Sequence, residues 1–151
     1  MKLLFICTGN MCRSPAAELM LEHIGGEEFQ ARSRGTQAQA YSRMPRPARA
    51  QLYRMGITEI NHTPELVTEP DIEWADLILV MENRHFEELA EKFPQSQRKM
   101  HLLLDYCGGT SGKEVRDPMG GSEKLFEEVL AEIREAVTAL VRKGTGPAKP
   151  A

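Results

Sequence analysis

The stretch LLFICTGNMCRSPAAELM, residues 3–20, joins a strand pattern to a helix pattern through one short loop. Its first four residues form an unbroken apolar run, which is typical of a strand covered on both faces in a parallel sheet. After the loop, Ser14 suits a helix N-cap and Pro15 suits the first helical position. The inner face of that helix is predicted from apolar residues at helical spacing, namely Ala17, Leu21 and Ile24. A strand, a tight loop and a helix form half of a β-α-β unit.

Strand and helix patterns continue to alternate along the chain. ADLILVM, residues 75–81, is the second clear buried strand pattern, and a helix over 83–93 follows it. The other predicted elements are strands over 29–33 and 99–106, helices over 47–55 and from Thr68, and a C-terminal helix capped by Ser122. This alternation predicts an α/β fold with three layers, a parallel sheet and helices on both of its faces.

Length and composition favour a single domain. The chain has 151 residues, of which 41% are hydrophobic and 27% are charged, and this is enough to bury a core. We assign the domain to residues 1–143. The last eight residues, GTGPAKPA at 144–151, are expected to form a disordered tail.

Charge and hydropathy exclude several classes of partner. The net charge is −3, and the 19 basic residues form no long basic run, so we expect no nucleic-acid partner. No apolar run approaches the ~18 residues of a membrane span, and the opening MKLLFIC is too short for a signal peptide. A cytoplasmic protein without a membrane partner is therefore expected. Its three cysteines, Cys7, Cys12 and Cys107, would remain thiols there.

The loop from Cys7 to Arg13 suits a tetrahedral anion. Backbone N–H groups of a loop that leads into a helix N-terminus can point inward and bind phosphate. Gly9 and Asn10 are the residue types that tolerate the left-handed backbone such a loop needs. Arg13 adds a planar fork for two phosphate oxygens. We therefore expect inorganic phosphate and similar oxyanions to bind here.

The same loop places a thiol under the expected phosphate. The helix N-terminus and Arg13 favour the thiolate of Cys7, which would be a nucleophile aimed at phosphorus, and Ser14 could donate its hydroxyl to that thiolate. Asp117, in RDPMGG, is the best candidate for the proton donor to the leaving group. This two-step displacement needs no cofactor, and no cluster of residues shows a recognisable metal-ligand spacing.

Each residue also has a structural interpretation. A cysteine followed by an arginine six positions later is a weak pattern, Cys7 could be a small buried apolar residue, and Asp117-Pro118 alone is an ordinary turn. The placement of Cys7 between a strand and a helix, together with Asp117 on a facing loop, favours catalysis. A phosphate-binding module without turnover would be expected to lack the nucleophile or the acid.

Four segments in order, ICTGNMCRSP, SRGT, ADLILVM and RDPMGG, resemble the low-molecular-weight protein tyrosine phosphatase family over nearly the whole chain. The resemblance implies a four-stranded parallel sheet, Cys7 as nucleophile, Arg13 as phosphate clamp and Asp117 as general acid. It also implies a disulfide between Cys12 and Cys7 under oxidation. The phosphate loop would comprise Thr8, Gly9, Asn10, Met11, Cys12, Arg13 and Ser14, supported by a hydrogen-bond network of Asn10, Ser14, Ser33 and His62.

The chain departs from the family where the substrate would lie. Aromatic residues usually form the walls around a phosphotyrosine ring, but here the corresponding positions are Gln39, Met119 and Gly120, and Tyr41 is a further candidate wall. CTGN and DPMGGS look closer to the protein-arginine phosphatase branch, which typically has Thr in place of Met11. A phosphoprotein substrate is expected, with phosphotyrosine placed ahead of phosphoarginine because of Met11. Arsenate reductase is disfavoured because residues 82–100 contain no cysteine.

Overall fold

The computed structural model describes residues 1–108 and 113–144. Within them, the strands are β1 Lys2–Cys7, β2 Gln30–Gly35, β3 Leu77–Val80 and β4 Met100–Leu102. The helices are α1 Arg13–Ile24, α2 Arg46–Arg54, α3 Glu69–Trp74, α4 Asn83–Lys92, α5 Leu103–Tyr106 and α6 Glu123–Lys143, with a 3-10 helix at Pro94–Lys99. Except for Gly144, the predicted tail lies outside the described residues, so the tail and the domain boundary stay predictions.

The described strands form one parallel sheet in the order β2-β1-β3-β4, which confirms the predicted α/β architecture. β1 lies inside the sheet, where Phe5 pairs with Ser33 of β2 on one side and with Leu79 of β3 on the other. The side chains of residues 3–6 are fully buried. An unbroken apolar run at the start of the chain is therefore explained by a strand with protein on both faces.

Two apolar clusters cover the two faces of the sheet. Leu3 and Phe5 belong to the cluster formed with α1, α2 and α6, whereas Leu4 and Ile6 belong to the cluster formed with α3 and α4. Helix α6 begins where predicted, since Ser122 Oγ accepts a hydrogen bond from the Leu125 backbone N–H at 3.1 Å. The predicted stripe of α6 is buried at Val129, Ile133, Ala136, Val137 and Leu140, and half-buried at Leu125.

Two predictions about helix α1 are wrong. Ser14 does not cap α1: the helix begins at Arg13, its N-cap residue is Cys12, and the side chain of Ser14 is buried. A Ser-Pro pair suits either a cap or the first turn, and here the hydroxyl of Ser14 has partners in the loop. Ile24 is 42% exposed, so it does not belong to the inner face of α1.

The predicted strand over 99–106 is also too long. β4 ends at Leu102, and the chain turns directly into α5, where Leu103 and Leu104 bury their side chains against the α6 face of the sheet. A short apolar run such as MHLLL is compatible with a strand or a buried helix, so its pattern does not locate this change.

The carboxyl ends of β1 and β2 lie side by side, because Cys7 pairs with Gly35. A Cβ atom at position 35 would stand 2.5 Å from the Thr8 carbonyl oxygen and 3.0 Å from the Asn10 nitrogen, so only glycine fits this close approach. At the other side, the Val115 N–H donates to the Met81 carbonyl at 2.9 Å. The loop after β1 and the segment before α6 therefore meet at one edge of the sheet.

Candidate functional site

The loop between β1 and α1 curls around the end of the first strand. Asn10 has φ 56°, and it is the one non-glycine residue with positive φ in the described part of the chain. The left-handed backbone predicted for Asn10 is therefore present, whereas the one predicted for Gly9 is wrong, since Gly9 has no positive φ. Asparagine suits this conformation because its short amide side chain can bond locally.

Cys7 ends β1 with its side chain 3% exposed. Its Sγ lies 2.9 Å from Ser14 Oγ. Asn10 Nδ2 donates to the same Ser14 oxygen at 2.8 Å, which leaves the hydroxyl hydrogen of Ser14 available for the sulfur. The Arg34 carbonyl is a second acceptor, 3.5 Å from the Ser14 oxygen, so a thiolate at Cys7 would be the nearer acceptor of this hydrogen.

The side chain and carbonyl of Asn10 form the centre of a buried network. Its Nδ2 also donates to Ser33 Oγ at 3.1 Å, and its Oδ1 accepts from the Glu65 N–H at 2.9 Å. His62 Nε2 donates to the Asn10 carbonyl at 2.6 Å, and burial lowers the pKa of His62, which favours the neutral ring. The four residues that the resemblance implied, Asn10, Ser14, Ser33 and His62, are thus placed together.

Glu18 extends this network and was not predicted from the sequence. Ser33 Oγ donates to Glu18 Oε1 at 2.6 Å. Burial is the main cause that raises the pKa of Glu18 to about 7, although the hydrogen bond from Ser33 opposes it. Glu18 lies one helical turn after Ser14, and this spacing is the only sequence signal that could have placed it beside the loop.

Arg13 is 3% exposed and is held by two acceptors. Its Nη1 donates to Glu82 and, at 2.7 Å, to the Val115 carbonyl. Partial burial of Glu82 opposes ionisation, but the hydrogen bond and charge of Arg13 lower the pKa of this carboxyl below its ordinary value. Since a buried guanidinium requires a counter-charge, Glu82 fixes where the fork of Arg13 points. Sequence reasoning missed Glu82, which directly follows ADLILVM.

The N-terminus of α4 is attached to the loop through Thr8. His85 Nε2 and Arg84 Nη2 both lie 2.8 Å from Thr8 Oγ1. The Glu82 N–H donates to His85 Nδ1 at 3.1 Å, so the ring hydrogen is on Nε2 and points to Thr8. Burial, together with the nearby charge of Arg13, lowers the pKa of His85 to about 4. His85 is therefore neutral over the physiological range.

We expect His85 to make the fold sensitive to acid. Its pKa is about 4 when folded and near 6.5 when unfolded, so the unfolded chain binds more protons between these values. The stability present above pH 6.5 is then lost as the pH falls toward 4, by about 3 kcal/mol at most. His85→Gln should flatten the decline of Tm between pH 6.5 and 4, measured by circular dichroism.

The control for this experiment is His23→Gln, at an exposed histidine. The titration of Glu18 changes the stability of the fold in the opposite direction over an overlapping pH range. Its pKa is raised in the folded chain, so the folded chain binds more protons there than the unfolded chain does. The comparison is therefore between variant and wild type at each pH. A parallel decline of Tm in His85→Gln and wild type would contradict the prediction.

Asp117 lies at the mouth of the site, with its side chain 45% exposed and one carboxylate oxygen 3.9 Å from Arg13 Nη2. Its other oxygen accepts from the Met119 N–H at 3.1 Å. Met119 is 41% exposed and Tyr41 is 78% exposed. Gln39 and Tyr41 belong to the exposed loop between β2 and α2, and in the described part of the chain neither side chain is hydrogen-bonded to the loop that follows Cys7. Their role as walls stays a prediction.

The other two cysteines of the described chain, Cys12 and Cys107, are buried thiols. Cys12 is a free, buried thiol, and burial together with the nearby Cys7 charge raises its pKa to about 12. Cys107 is also free, and burial raises its pKa to about 12. Neither of these two thiols is suited to act as a thiolate nucleophile at neutral pH. The disulfide between Cys7 and Cys12 stays a prediction.

Two further features concern the described residues alone. Over residues 1–108 and 113–144, no helix is both long and apolar enough to cross a membrane. The same residues contain no group of three or more His, Cys, Asp or Glu side chains placed to hold a metal ion. The cytoplasmic location and the metal-free, cofactor-free mechanism expected from the sequence stay predictions.

Comparison with known proteins gives matches that span nearly the whole chain. The model of the family described as low molecular weight phosphotyrosine protein phosphatase matches residues 2–145. A protein-arginine-phosphatase of Bacillus subtilis (strain 168) is 33% identical over 146 residues, which cover 95% of this chain and 96% of the relative. The low molecular weight protein-tyrosine-phosphatase PtpB of Staphylococcus epidermidis is 30% identical over 150 residues, covering 91% and 94% of the two chains.

A solved structure agrees with the fold. The YwlE arginine phosphatase, as a mutant with a cysteine replaced by a phosphorylated active-site serine, superimposes with a TM-score of 0.91. It is 30% identical in sequence, and the match covers 98% of each chain. The residues matched by the family model include the four described strands and the loop after Cys7. This chain belongs to the low-molecular-weight phosphotyrosine protein phosphatase family.

Proposed function

We propose that this protein hydrolyses phosphotyrosine in phosphorylated proteins of the cytoplasm, through a phosphocysteine formed on Cys7. The observation that carries the proposal is the position of the Cys7 sulfur. It lies 2.9 Å from a hydroxyl donor, at the start of a loop that leads into a helix N-terminus and the buried guanidinium of Arg13. These are the parts that a thiolate nucleophile below a bound phosphate requires.

Substrate binding would use the loop and Arg13. The backbone N–H groups of residues 8–14 and the free N–H groups of Arg13 would donate to the phosphate oxygens. Glu82 and the Val115 carbonyl hold Nη1 of Arg13, so the rest of the fork is already oriented before the phosphate arrives. This preorganisation supports stabilisation of the charge that develops on the transferring phosphoryl group.

In the first step, the Cys7 sulfur attacks phosphorus, and the bond from phosphorus to the ester oxygen breaks. Asp117, on the facing segment and 3.9 Å from Arg13, would give its proton to the departing oxygen. In the second step, Asp117 takes a proton from water, the water oxygen attacks phosphorus, and the sulfur leaves as a thiolate. The hydroxyl of Ser14 would stabilise that thiolate in both steps.

Phosphoarginine is the second candidate substrate. It is favoured by relatives named protein-arginine-phosphatase and by the segments CTGN and DPMGGS. Met11 favours phosphotyrosine instead, because a thioether side chain offers apolar contact to a phenol ring and no strong hydrogen bond to a guanidinium. The exposed Met119 adds an apolar surface directly after the Asp-Pro pair.

The two substrates are distinguished by kcat/KM for matched phosphotyrosine and phosphoarginine peptides. We expect wild type to prefer phosphotyrosine by about tenfold or more, and Met11→Thr to shift the ratio toward phosphoarginine by a similar factor, because a hydroxyl then replaces an apolar contact. Met11→Leu is the matched control and should keep the wild-type ratio. A preference for phosphoarginine in wild type, unchanged in Met11→Thr, would assign the protein to the arginine phosphatases.

A further inference from the structure

The segment before Asp117 lies against the end of β3. The Val115 N–H donates to the Met81 carbonyl at 2.9 Å, and the Met81 N–H donates to the Ile6 carbonyl of β1 at 3.1 Å. The Val115 carbonyl accepts from Arg13 Nη1 at 2.7 Å, and the Val115 side chain is fully buried. Val115 is therefore fixed at the edge of the sheet where the phosphate loop begins.

Glu114 connects the same segment to helix α4. Its Oε2 accepts a hydrogen bond from the Asn83 N–H at 2.8 Å. Asn83 is the first residue of α4, and the first N–H groups of a helix have no partner within it. A carboxylate is favoured at this positive end of the helix, and the first turn of α4 has no acidic residue of its own. The side chain of Glu114 is exposed, so it contributes to this contact rather than to the core.

Asp117 has little attachment of its own. In the described part of the chain its carboxylate accepts one hydrogen bond, from the Met119 N–H of the same turn, and its distance of 3.9 Å from Arg13 Nη2 is too long for another. Val115 is two residues before Asp117, so the chain between them spans at most about 7 Å. The contacts of Glu114 and Val115 therefore limit where the carboxyl group of Asp117 can lie.

The start of α4 also holds the phosphate clamp. Glu82 is the N-cap residue of α4 and accepts a hydrogen bond from Arg13 Nη1. The Asn83 N–H is the next backbone donor along the chain, and its bond to Glu114 joins the segment of Asp117 to the element that orients Arg13. Proton transfer depends on this arrangement, because the acid must lie within hydrogen-bond distance of the leaving oxygen while the phosphoryl group is bound.

We propose that Glu114 is a positioning residue for proton transfer by Asp117. Its carboxylate holds the segment before Asp117 against the Asn83 N–H, and Glu114 itself carries no proton in either step. The inference rests on the proposed function, because it needs Asp117 to protonate the leaving group. Its effect falls on the cleavage of the ester bond, whereas phosphate binding stays with the loop and Arg13.

The first test is Glu114→Ala with two substrates of different leaving group. We expect kcat/KM for phenyl phosphate to fall about five- to twentyfold and kcat/KM for p-nitrophenyl phosphate to fall less than about twofold, because only phenolate needs the proton. The affinity for inorganic phosphate, measured by calorimetry, should be unchanged. Glu114→Gln keeps an oxygen that accepts the N–H and should stay within about twofold of wild type. Glu87→Ala, which removes an exposed carboxylate of the same helix, is the matched control and should have no effect.

The second test removes the donor of the same hydrogen bond. Asn83→Pro lacks the N–H, and proline suits the first position of a helix. The preceding residue, Glu82, already has the extended backbone that a following proline requires, with φ −138° and ψ 157°. We therefore expect Asn83→Pro to fold, with a Tm by circular dichroism near that of wild type, and to show the same selective loss on phenyl phosphate as Glu114→Ala.

A double variant separates positioning from a general effect on the fold. If Glu114 acts through Asp117, then Glu114→Ala combined with Asp117→Asn should be no slower on phenyl phosphate than Asp117→Asn alone. Additive losses, equal losses for the two substrates, or a loss in only one of Glu114→Ala and Asn83→Pro would overturn the inference and leave the phosphatase proposal intact. Turnover that persists in Cys7→Ala would overturn the proposed function, and this inference with it.

Discussion

Replacing Cys7 by serine should lower kcat/KM for a phosphotyrosine peptide by at least about 10³-fold, while the affinity for inorganic phosphate changes little. In the proposed mechanism the buried sulfur of Cys7 attacks phosphorus, whereas oxyanion binding depends on the loop N–H groups and on Arg13. A serine hydroxyl is a weaker nucleophile, and its alkoxide is a poorer leaving group than a thiolate. Steady-state turnover and phosphate titration by calorimetry measure the two effects separately.

The same variant also tests the covalent intermediate. If oxygen replaces sulfur, any phosphoryl group transferred to residue 7 should leave slowly, and intact-mass spectrometry should detect protein heavier by one phosphoryl group. Cys7→Ala should show no such species. Cys107→Ser is the matched control, because it replaces a buried thiol outside the loop and should keep wild-type turnover. Turnover that persists in Cys7→Ser and Cys7→Ala would remove Cys7 from the mechanism.

Local sequence was sufficient to predict the sheet and the loop. The apolar run at residues 3–6 reports a strand buried on both faces, and the Cys-to-Arg segment with Asn10 reports a curled loop before a helix. Both patterns are formed by neighbouring residues, so they can be recognised without knowledge of the rest of the fold. The wrong ends of α1 and β4 have the same origin, since Ser14 and the run after Met100 each satisfy two local patterns equally well.

The supporting roles of Glu82 and His85 were missed because their partners are distant in sequence. Glu82 contacts Arg13 across 69 positions, and His85 contacts Thr8 across 77. Nothing in MENRH distinguishes these residues from the solvated first turn of an ordinary helix. Their role depends on β3 lying next to β1, which brings the start of α4 beside the loop. Only the strand order of the sheet reveals that contact.

Asp117→Asn should slow the hydrolysis of substrates with poor leaving groups much more than that of substrates with good ones. We expect a loss of about 10²–10³-fold in kcat/KM for phenyl phosphate and less than about tenfold for p-nitrophenyl phosphate. p-Nitrophenolate leaves readily without a proton, whereas phenolate and tyrosinate need one. Asparagine keeps the side-chain oxygen that accepts the Met119 N–H, so the turn is preserved while the proton donor is lost.

The position of Asp117 explains why it is better suited than Glu82 to this role. Glu82 is only partly exposed and is hydrogen-bonded to Arg13, so its carboxylate is committed to orienting the guanidinium. Asp117 is 45% exposed, and its Oδ2 lies 3.9 Å from the same guanidinium, which is too far for a hydrogen bond, so this oxygen can meet a leaving group. Glu127→Gln, at an exposed position of α6, is the control and should affect neither substrate. Equal losses for both substrates in Asp117→Asn would show that Asp117 orients Arg13 or the segment before α6, and that the leaving group takes its proton from another source.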